Sequence, residues 1–189
     1  MALTPSTMLP LGTEAPPFSL PAANPDVAGE TVSLDSLGGG PLVVVFTCNH
    51  CPYAVSVEGR LVEQAQAWLA EGVGVVAISP NDAEAYPADS FEKMAERAEE
   101  KGFPFPYLYD ESQAVARAYD AACTPDFYLF DADRRLVYRG RLDDGRPGQE
   151  PTTRDLDRAV RQLLAEGRVT AEQAPSMGCN VKWKAEPAA

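Results

Sequence analysis

Residues 42–52 read LVVVFTCNHCP, and this stretch decides the fold. Its first five residues are apolar and mostly β-branched, which is typical of a strand buried on both faces of a sheet. Pro52 then fits the first turn of a helix, where its missing N–H costs nothing. The sequence therefore places Cys48 and Cys51, a CxxC pair, at the junction of a buried strand and a helix N-terminus.

The residues after this junction predict a parallel crossover unit. From Tyr53 to Trp68, apolar side chains recur every three or four positions, as on a helix that buries one face. Residues 73–79 form a second candidate for a buried strand, so that strand, helix and strand give a parallel crossover. Two shorter strand candidates, residues 18–20 and 31–34, precede the unit.

The second half of the chain predicts further strands and helices on the same sheet. Strand candidates lie at residues 107–109, 126–130 and 135–139, and the last two should form an antiparallel hairpin. Helices are predicted at residues 111–119 and 152–165, and another begins where Asp89 and Glu92 resemble a capping box. A β-α-β half followed by a β-β-α half is an α/β sandwich. We expect an arm over residues 1–15, a domain over 16–167 and a tail over 168–189.

Composition excludes several classes of function. The chain has 189 residues and a net charge of −12, which opposes binding to nucleic acid or to an anionic membrane surface. Its longest apolar run, residues 42–46, is too short for membrane insertion. The first residues do not resemble a signal peptide, so we expect a cytoplasmic protein. Four cysteines are too few for a disulfide-stapled secreted scaffold. As to assembly, we expect a monomer or a weak dimer.

The CxxC pair has the features that thiol–disulfide exchange requires. The attacking group is a thiolate, and a free cysteine has a pKa of about 8.5. A helix N-terminus can stabilise an anion by up to ~2 kcal/mol, which predicts a pKa near ~7 for Cys48. Since Cys48 precedes the helix, we expect it to be exposed and Cys51 to be shielded. His50, the one histidine of the chain, should stabilise the thiolate further, or else be an exposed loop residue without a role.

Metal binding is the alternative use of these cysteines. Cys48, His50 and Cys51, with Cys123 or Cys179, could supply a zinc or copper site. However, the remaining candidate ligands do not form a second CxxC or HxxH, so we expect neither a metal nor a cofactor.

Cys123 and Cys179 are candidate accessory redox residues. Cys123 should lie beside the CxxC pair, and Val181 and Trp183 alternate with lysines in a pattern that would dock the tail on the domain. Docking would bring Cys179 close to Cys123, as a second redox pair or as an electron relay. The other interpretation is that both are buried, unreactive thiols.

The pattern around the CxxC resembles the active site of thioredoxin-fold proteins. Residues 123–127, CTPDF, are similar to the loop that carries the cis-proline of that fold. Over residues 10–165 the chain is most similar to the peroxiredoxin-like (AhpC/TSA-like) group. The resemblance implies a thioredoxin-like fold with a central mixed sheet, an N-terminal β-hairpin and a mid-chain helical insertion. It also implies a cis bond at Thr124–Pro125, with both residues positioning the backbone of a substrate.

One departure from that group bears on activity. Peroxiredoxins carry Thr or Ser three residues before the peroxide-attacking cysteine, which aligns with the second cysteine of a CxxC. In this chain the residue three positions before Cys51 is Cys48, so the Thr or Ser hydroxyl is missing. The resemblance therefore implies a thiol:disulfide oxidoreductase that acts on a disulfide- or dithiol-bearing protein or a small-molecule thiol, with Cys48 attacking and Cys51 resolving. The alternatives are a thiol-dependent peroxidase and a non-enzymatic metal-binding or redox-sensing module.

Overall fold

Ten strands and five helices make up the computed structural model, which describes residues 3–185. Residues 1–2 and 186–189, the ends of the expected arm and tail, lie outside the described residues. The strands are β1 (Leu3–Pro5), β2 (Ser19–Pro21), β3 (Thr31–Ser33), β4 (Leu42–Phe46), β5 (Gly74–Ser79), β6 (Tyr107–Tyr109), β7 (Cys123–Thr124), β8 (Asp126–Phe130), β9 (Leu136–Gly140) and β10 (Met177–Asn180). The helices are α1 (Pro25–Ala28), α2 (Pro52–Ala70), α3 (Phe91–Lys101), α4 (Ala114–Ala118) and α5 (Asp155–Glu166).

A five-stranded mixed sheet in the order β6-β5-β4-β8-β9 forms the centre of the domain. Strands β4, β5 and β6 are parallel, whereas β8 runs antiparallel to both β4 and β9. All five residues of β4 are buried, as its apolar run predicts. β2 and β3 pair as the expected N-terminal hairpin, and α3 lies in the expected mid-chain insertion. The mixed-sheet sandwich that the sequence predicts is therefore confirmed.

The two faces of the sheet carry separate hydrophobic cores. On one face, Val43 and Val45 pack with residues of α2, α3 and α5. On the other, Val44 and Phe46 pack with the N-terminal hairpin and α4. This division follows from the alternation of side chains along a strand. Among the described residues, no helix is both long enough and apolar enough to cross a membrane.

The start of α3 differs from the prediction. Ser90 is the N-cap, and its side chain accepts a hydrogen bond from the Lys93 N–H at 3.3 Å. Asp89 is instead the last residue of a 3₁₀ turn and is fully buried. A buried carboxylate needs several hydrogen-bond donors, and because Ser90 caps the helix, the carboxylate of Asp89 takes its donors from elsewhere. Asp89 therefore has another role, described below.

The arm and the tail pair with each other in a second sheet, β1-β10-β7. β10 lies between its two antiparallel neighbours, with Leu3 opposite Cys179 on one side and Thr124 opposite Cys179 on the other. The Ser6 N–H extends the pairing by donating to the Ser176 carbonyl at 2.9 Å. This sheet brings the tail against the CxxC pair.

Candidate active site

Cys48 and Cys51 lie at the predicted strand–helix junction, but neither is exposed. Cys51 is the N-cap residue of α2 and is fully buried, and Cys48 is only 3% exposed. The prediction that Cys48 is exposed is therefore wrong. Cys48 borders a small apolar pocket lined by Phe103, Phe105 and Tyr107, and on its other side it contacts Thr124. These neighbours come from distant parts of the chain, which local sequence does not reveal.

Thr124 contacts both cysteines. Its hydroxyl lies 3.4 Å from Cys48 Sγ, and its carbonyl oxygen lies 3.1 Å from Cys51 Sγ and accepts a hydrogen bond from Cys51 when that cysteine carries a proton. The Thr124–Pro125 peptide bond that follows is cis. Thr124 therefore contacts the sulfur atoms of both cysteines.

The negative charge of the reduced pair belongs on Cys51. A hydrogen bond from the Cys48 thiol lowers the pKa of Cys51 to about 4, and the thiol and N–H of Cys179 and the N–H of Ala54 act in the same direction. The pKa of Cys48 is raised, by its hydrogen bond to Cys51, by burial and by the nearby negative charge of Asp89. Burial of Cys51 and the Thr124 carbonyl, 3.1 Å from its sulfur, oppose this charge, so the lowered pKa of Cys51 depends on the donors from Cys48, Cys179 and Ala54.

This result reverses the prediction that the helix dipole activates Cys48. Cys51 is the residue directly before α2, whereas Cys48 lies three residues further from its first N–H groups. The favourable field of a helix terminus falls off within one turn. Cys51 therefore receives the stabilisation that we expected for Cys48.

His50 is held in place by Asp89 and is not a freely exposed loop residue. Its Nδ1 lies 2.6 Å from Asp89 Oδ2, and its ring stacks on Tyr86 at 5.2 Å between centroids. Its Nε2 is buried and has no hydrogen-bond partner among the described residues. His50 thus lies beside the pair with a fixed orientation, and its proposed effect on the thiolate stays a prediction.

Asp89 organises the CxxC loop, and the sequence did not identify it. Its carboxylate accepts hydrogen bonds from the Asn49 N–H at 2.8 Å and from Asn81 Nδ2 at 2.8 Å, in addition to its contact with His50. Asn81 Oδ1 in turn accepts the Lys182 N–H at 2.9 Å, so that the loop is linked to the tail. Asp89 is about 40 residues from the loop it holds, and no local pattern marks such a contact.

The residues Cys48, His50 and Asp89 offer ligand atoms that all lie within 4.8 Å of one another. A thiolate, an imidazole and a carboxylate are a ligand set that zinc accepts. However, His50 and Asp89 already share a short hydrogen bond, which a metal ion bound by both side chains would have to replace. In this structure the cluster is a hydrogen-bonded pair, His50 and Asp89, beside the Cys48 thiol.

Cys123 and Cys179 lie on neighbouring strands but on opposite faces. Cys179 is opposite Thr124 and Asn180 is opposite Cys123, and successive residues of a strand point to opposite sides. Cys179 packs in one cluster with Cys48, Cys51 and Ala54. Cys123 is buried on the other side, where its thiol donates to the Pro125 carbonyl at 3.7 Å. The register therefore opposes the expected Cys123–Cys179 pair.

Thr124, which the resemblance assigns to positioning the substrate backbone, lies in β7, and this strand is already paired with β10. Beside it, a cleft of about 120 Å³ runs along Pro125 and is lined by Tyr53, Arg141, Asp143 and Met177, among others. It is open to solvent and adjoins the strand that covers the cysteines.

Comparisons with known proteins place these features in context. A sequence model described as the AhpC/TSA family matches residues 11–139. No curated protein matches the chain. An uncharacterised conserved protein from Geobacillus kaustophilus is 50% identical, with a TM-score of 0.91 over 100% of this chain and 99% of that chain.

Two further solved structures are similar. A hypothetical protein from Sinorhizobium meliloti is 43% identical, with a TM-score of 0.91 over 97% of this chain and 100% of that chain. A thiol:disulfide interchange protein of the thioredoxin family from Chlorobium tepidum is 21% identical, with a TM-score of 0.63 over 82% of this chain and 99% of that chain. The last likeness is one of fold alone, and it agrees with the thioredoxin-like architecture.

Proposed function

The chain belongs to the AhpC/TSA family, and from that premise we propose that it is a thiol:disulfide oxidoreductase whose redox centre is the Cys48–Cys51 pair. Family membership supports an oxidoreductase in general terms. The observation that carries the finer proposal is the contact of the two thiols at the N-terminus of α2, with the charge of the pair stabilised on Cys51. Its partner is a disulfide- or dithiol-bearing protein or a small-molecule thiol in the cytoplasm.

The reaction follows from the distribution of charge. The Cys51 thiolate attacks one sulfur of a partner disulfide, so that a Cys51–partner bond forms and the other partner sulfur leaves as a thiolate, which takes a proton from solvent. Cys48 then gives up its proton and attacks Cys51 Sγ. The Cys48–Cys51 disulfide forms, and the second partner sulfur leaves with that proton. Two electrons pass from the pair to the partner.

These roles reverse those that the sequence suggested, and access must be explained. Both sulfurs are buried, so the partner binds in the cleft beside Pro125 and reaches Cys51 when β10 moves aside. Thr124 and Pro125 then position the partner backbone, because the edge of β7 that β10 leaves is free to pair with it. His50 and Asp89 keep the CxxC loop in place during the exchange.

Trapping of the mixed disulfide tests the proposal. With a protein disulfide such as insulin as substrate, we expect the wild type to reduce it in the presence of a thiol donor. Cys48→Ser/Cys179→Ser, which lacks both thiols that contact Cys51, should accumulate the partner on Cys51, whereas Cys51→Ser should be inactive. Cys123→Ser is the matched control and should retain activity. If the wild type fails to reduce disulfides with any donor, the proposal is wrong; if the partner is trapped on Cys48 in Cys51→Ser, the roles are those inferred from the sequence.

A redox titration of the pair then gives the direction of electron flow. A reduction potential near about −270 mV would indicate a reductant, and one near about −120 mV an oxidant. The stabilised thiolate on Cys51 favours the reduced form of the pair and thus predicts an oxidant, in which the steps above run in reverse, from the Cys48–Cys51 disulfide to a partner dithiol. The measurement is made by quenching the protein in glutathione buffers and counting the thiols of Cys48 and Cys51.

A thiol-dependent peroxidase is the second candidate, and one observation favours it. The charged cysteine is Cys51, which aligns with the attacking cysteine of peroxiredoxins. The hydroxyl that would bind peroxide is nevertheless missing, since Cys48 occupies its position. We therefore expect slow oxidation of Cys51 by hydrogen peroxide, and rapid, saturable turnover would favour the peroxidase. The Cys48, His50 and Asp89 cluster is the basis for a metal-binding module, which the metal content of the purified protein tests.

A further inference from the structure

β10 occupies the position beside β7 that an extended partner strand would take. Its residue Cys179 lies opposite Thr124, whose carbonyl and hydroxyl contact Cys51 and Cys48 respectively. The approach of the two strands is so close that a Cβ added to Gly178 would lie 2.0 Å from the Thr124 carbonyl oxygen. The chain thus presents one of its own cysteines at the docking edge of its own redox site.

Cys179 contacts the redox pair through Cys51. It is 3% exposed and belongs to the same buried cluster as Cys48 and Cys51. Both its thiol and its N–H face Cys51 Sγ, which also accepts the Cys48 thiol, so Cys51 is the shared neighbour of two thiols. Disulfide exchange needs this arrangement, because the attacked sulfur must contact both the thiol that enters and the thiol that leaves.

We propose that Cys179 is a third redox-active thiol, which converts the Cys48–Cys51 disulfide into a Cys51–Cys179 disulfide within the chain. The inference rests on the proposed function, which supplies the first disulfide. In the exchange, Cys179 loses its proton and attacks Cys51 Sγ. The Cys51–Cys179 bond forms, the Cys48–Cys51 bond breaks, and Cys48 leaves as a thiolate that takes up a proton. No net oxidation occurs, and Cys48 returns to the thiol form.

The charges around Cys179 change in the direction that the exchange needs. In the reduced protein, burial and the neighbouring Cys51 raise the pKa of Cys179 to about 12, whereas the positive charge of Lys182 lowers it. Once Cys51 is part of a disulfide, its negative charge is gone and Lys182 remains. Burial still raises the pKa of Cys179, but oxidation of the pair removes the contribution of Cys51 and so makes Cys179 easier to deprotonate than in the reduced protein.

Cys123 provides the matched control for this proposal. It is the other cysteine outside the CxxC, it is buried to a similar degree, and it lies on the strand next to β10. Its side chain points away from Cys51, because its cross-strand partner is Asn180 and not Cys179. If the oxidant reacted with buried thiols without selectivity, Cys123 would be oxidised as well as Cys179.

The test uses the full chain with Cys48 replaced by serine. Cys48→Ser is reacted with oxidised glutathione, quenched with acid, alkylated and mapped without reduction. We expect the glutathione that first attaches to Cys51 to be released as a Cys51–Cys179 disulfide forms. In Cys48→Ser/Cys179→Ser the glutathione should remain on Cys51, whereas Cys48→Ser/Cys123→Ser should behave as Cys48→Ser does. Recovery of Cys179 as a thiol in Cys48→Ser, with glutathione retained on Cys51, would overturn the proposal.

Two further measurements keep the outcome unambiguous. Circular dichroism establishes that each variant is folded, and Cys179→Ala replaces Cys179→Ser if a hydroxyl in the apolar cluster releases β10. Formation of the Cys48–Cys51 disulfide in Cys179→Ser separates this inference from the proposed function. If that disulfide forms as the dithiol pair reduces a partner, while Cys179 stays a thiol in Cys48→Ser, the inference alone fails; if it does not form, the proposed function fails.

Discussion

Cys51 combines complete burial with a stabilised negative charge. Burial alone would raise the pKa of a thiol, so the low value depends on the donors from Cys48, Cys179 and Ala54 that face its sulfur. Cys179 is far from α2 in the sequence, and Cys48 lies before the first turn of that helix. The charge state of the pair is therefore a property of the assembled site and not of the CxxC alone.

The pH dependence of the reduced protein tests this charge state. With a pKa of about 4, Cys51 remains a thiolate from about pH 5 upward, so the ultraviolet absorbance of one thiolate should persist across that range. The absorbance should be lost in Cys51→Ser and retained in Cys123→Ser. If the wild type gains its first thiolate only above about pH 8, as a free cysteine would, the assignment is wrong.

The same pKa predicts a contribution to stability with a definite sign. Between about pH 4 and about pH 8.5 the unfolded chain carries a proton on Cys51 that the folded chain lacks, so the free energy of unfolding should rise with pH. The contribution is complete above the unfolded pKa and is lost as the pH falls through about 4. The difference between the reduced wild type and Cys51→Ser in urea unfolding isolates it from other titrating groups.

At the scale of single elements, β10 is the strand on which the site depends most. Gly178 permits its close contact with Thr124, so in Gly178→Ala the added methyl group must displace one strand from the other. We expect a loss of about 1–3 kcal/mol in the free energy of unfolding, typical of overpacking. We also expect faster alkylation of Cys51, since the strand that covers it is displaced.

Gly59→Ala is the control for that substitution. Gly59 lies within α2, and nothing lies within 4 Å of a Cβ added there. Alanine should stabilise the helix by up to ~1 kcal/mol and leave the alkylation of Cys51 unchanged. If Gly178→Ala also leaves the alkylation rate unchanged, β10 does not control access to the pair.

The elements differ in how far the sequence could predict them. β4, β5 and β8 carry continuous apolar runs because both faces of the sheet are covered, and such runs are visible locally. β10 reads MGCN and has no strand pattern, since its pairing depends on β1 and β7. The alternation around Val181 pointed to a docked tail, and Val181 is buried, but Trp183 is 37% exposed and lies against Arg117.

The candidate site was predictable to a similar extent. The CxxC, its helix and the Thr124–Pro125 loop were recognisable from local residues. The burial of Cys48, the charge on Cys51 and the part played by Asp89 were not, because each depends on contacts between segments distant in the sequence. Hydrogen-bonded networks of this kind carry no periodicity that a single sequence could reveal.

At the scale of the whole molecule, the two ends of the described chain cooperate to cover the CxxC pair. β1 pairs with the outer edge of β10, and Ser6 and Ser176 are joined by hydrogen bonds in both directions, with Ser176 N–H donating to Ser6 Oγ at 3.1 Å. The arm therefore holds in place the strand that contacts Cys51.

Removal of residues 1–6 tests the role of the arm. We expect the backbone amides of residues 177–180 to exchange with deuterium faster, because β10 loses one of its two neighbours. The amides of β4 and β5, which have no contact with the arm in the sheet, should keep their protection and serve as the internal control. Equal protection of residues 177–180 with and without the arm would show that β7 alone retains the strand.

The pairing of β10 with β7 has a consequence for the chain during its synthesis. β10 lies about 125 residues after Cys51, so the ribosome completes the strand–helix junction well before the strand that covers it. At ~5–20 residues per second, the delay is on the order of 10 s. Throughout that interval the nascent polypeptide lacks the strand that covers its two thiols, so the oxidation state in which each new molecule matures depends on the thiols and disulfides present while it is being made.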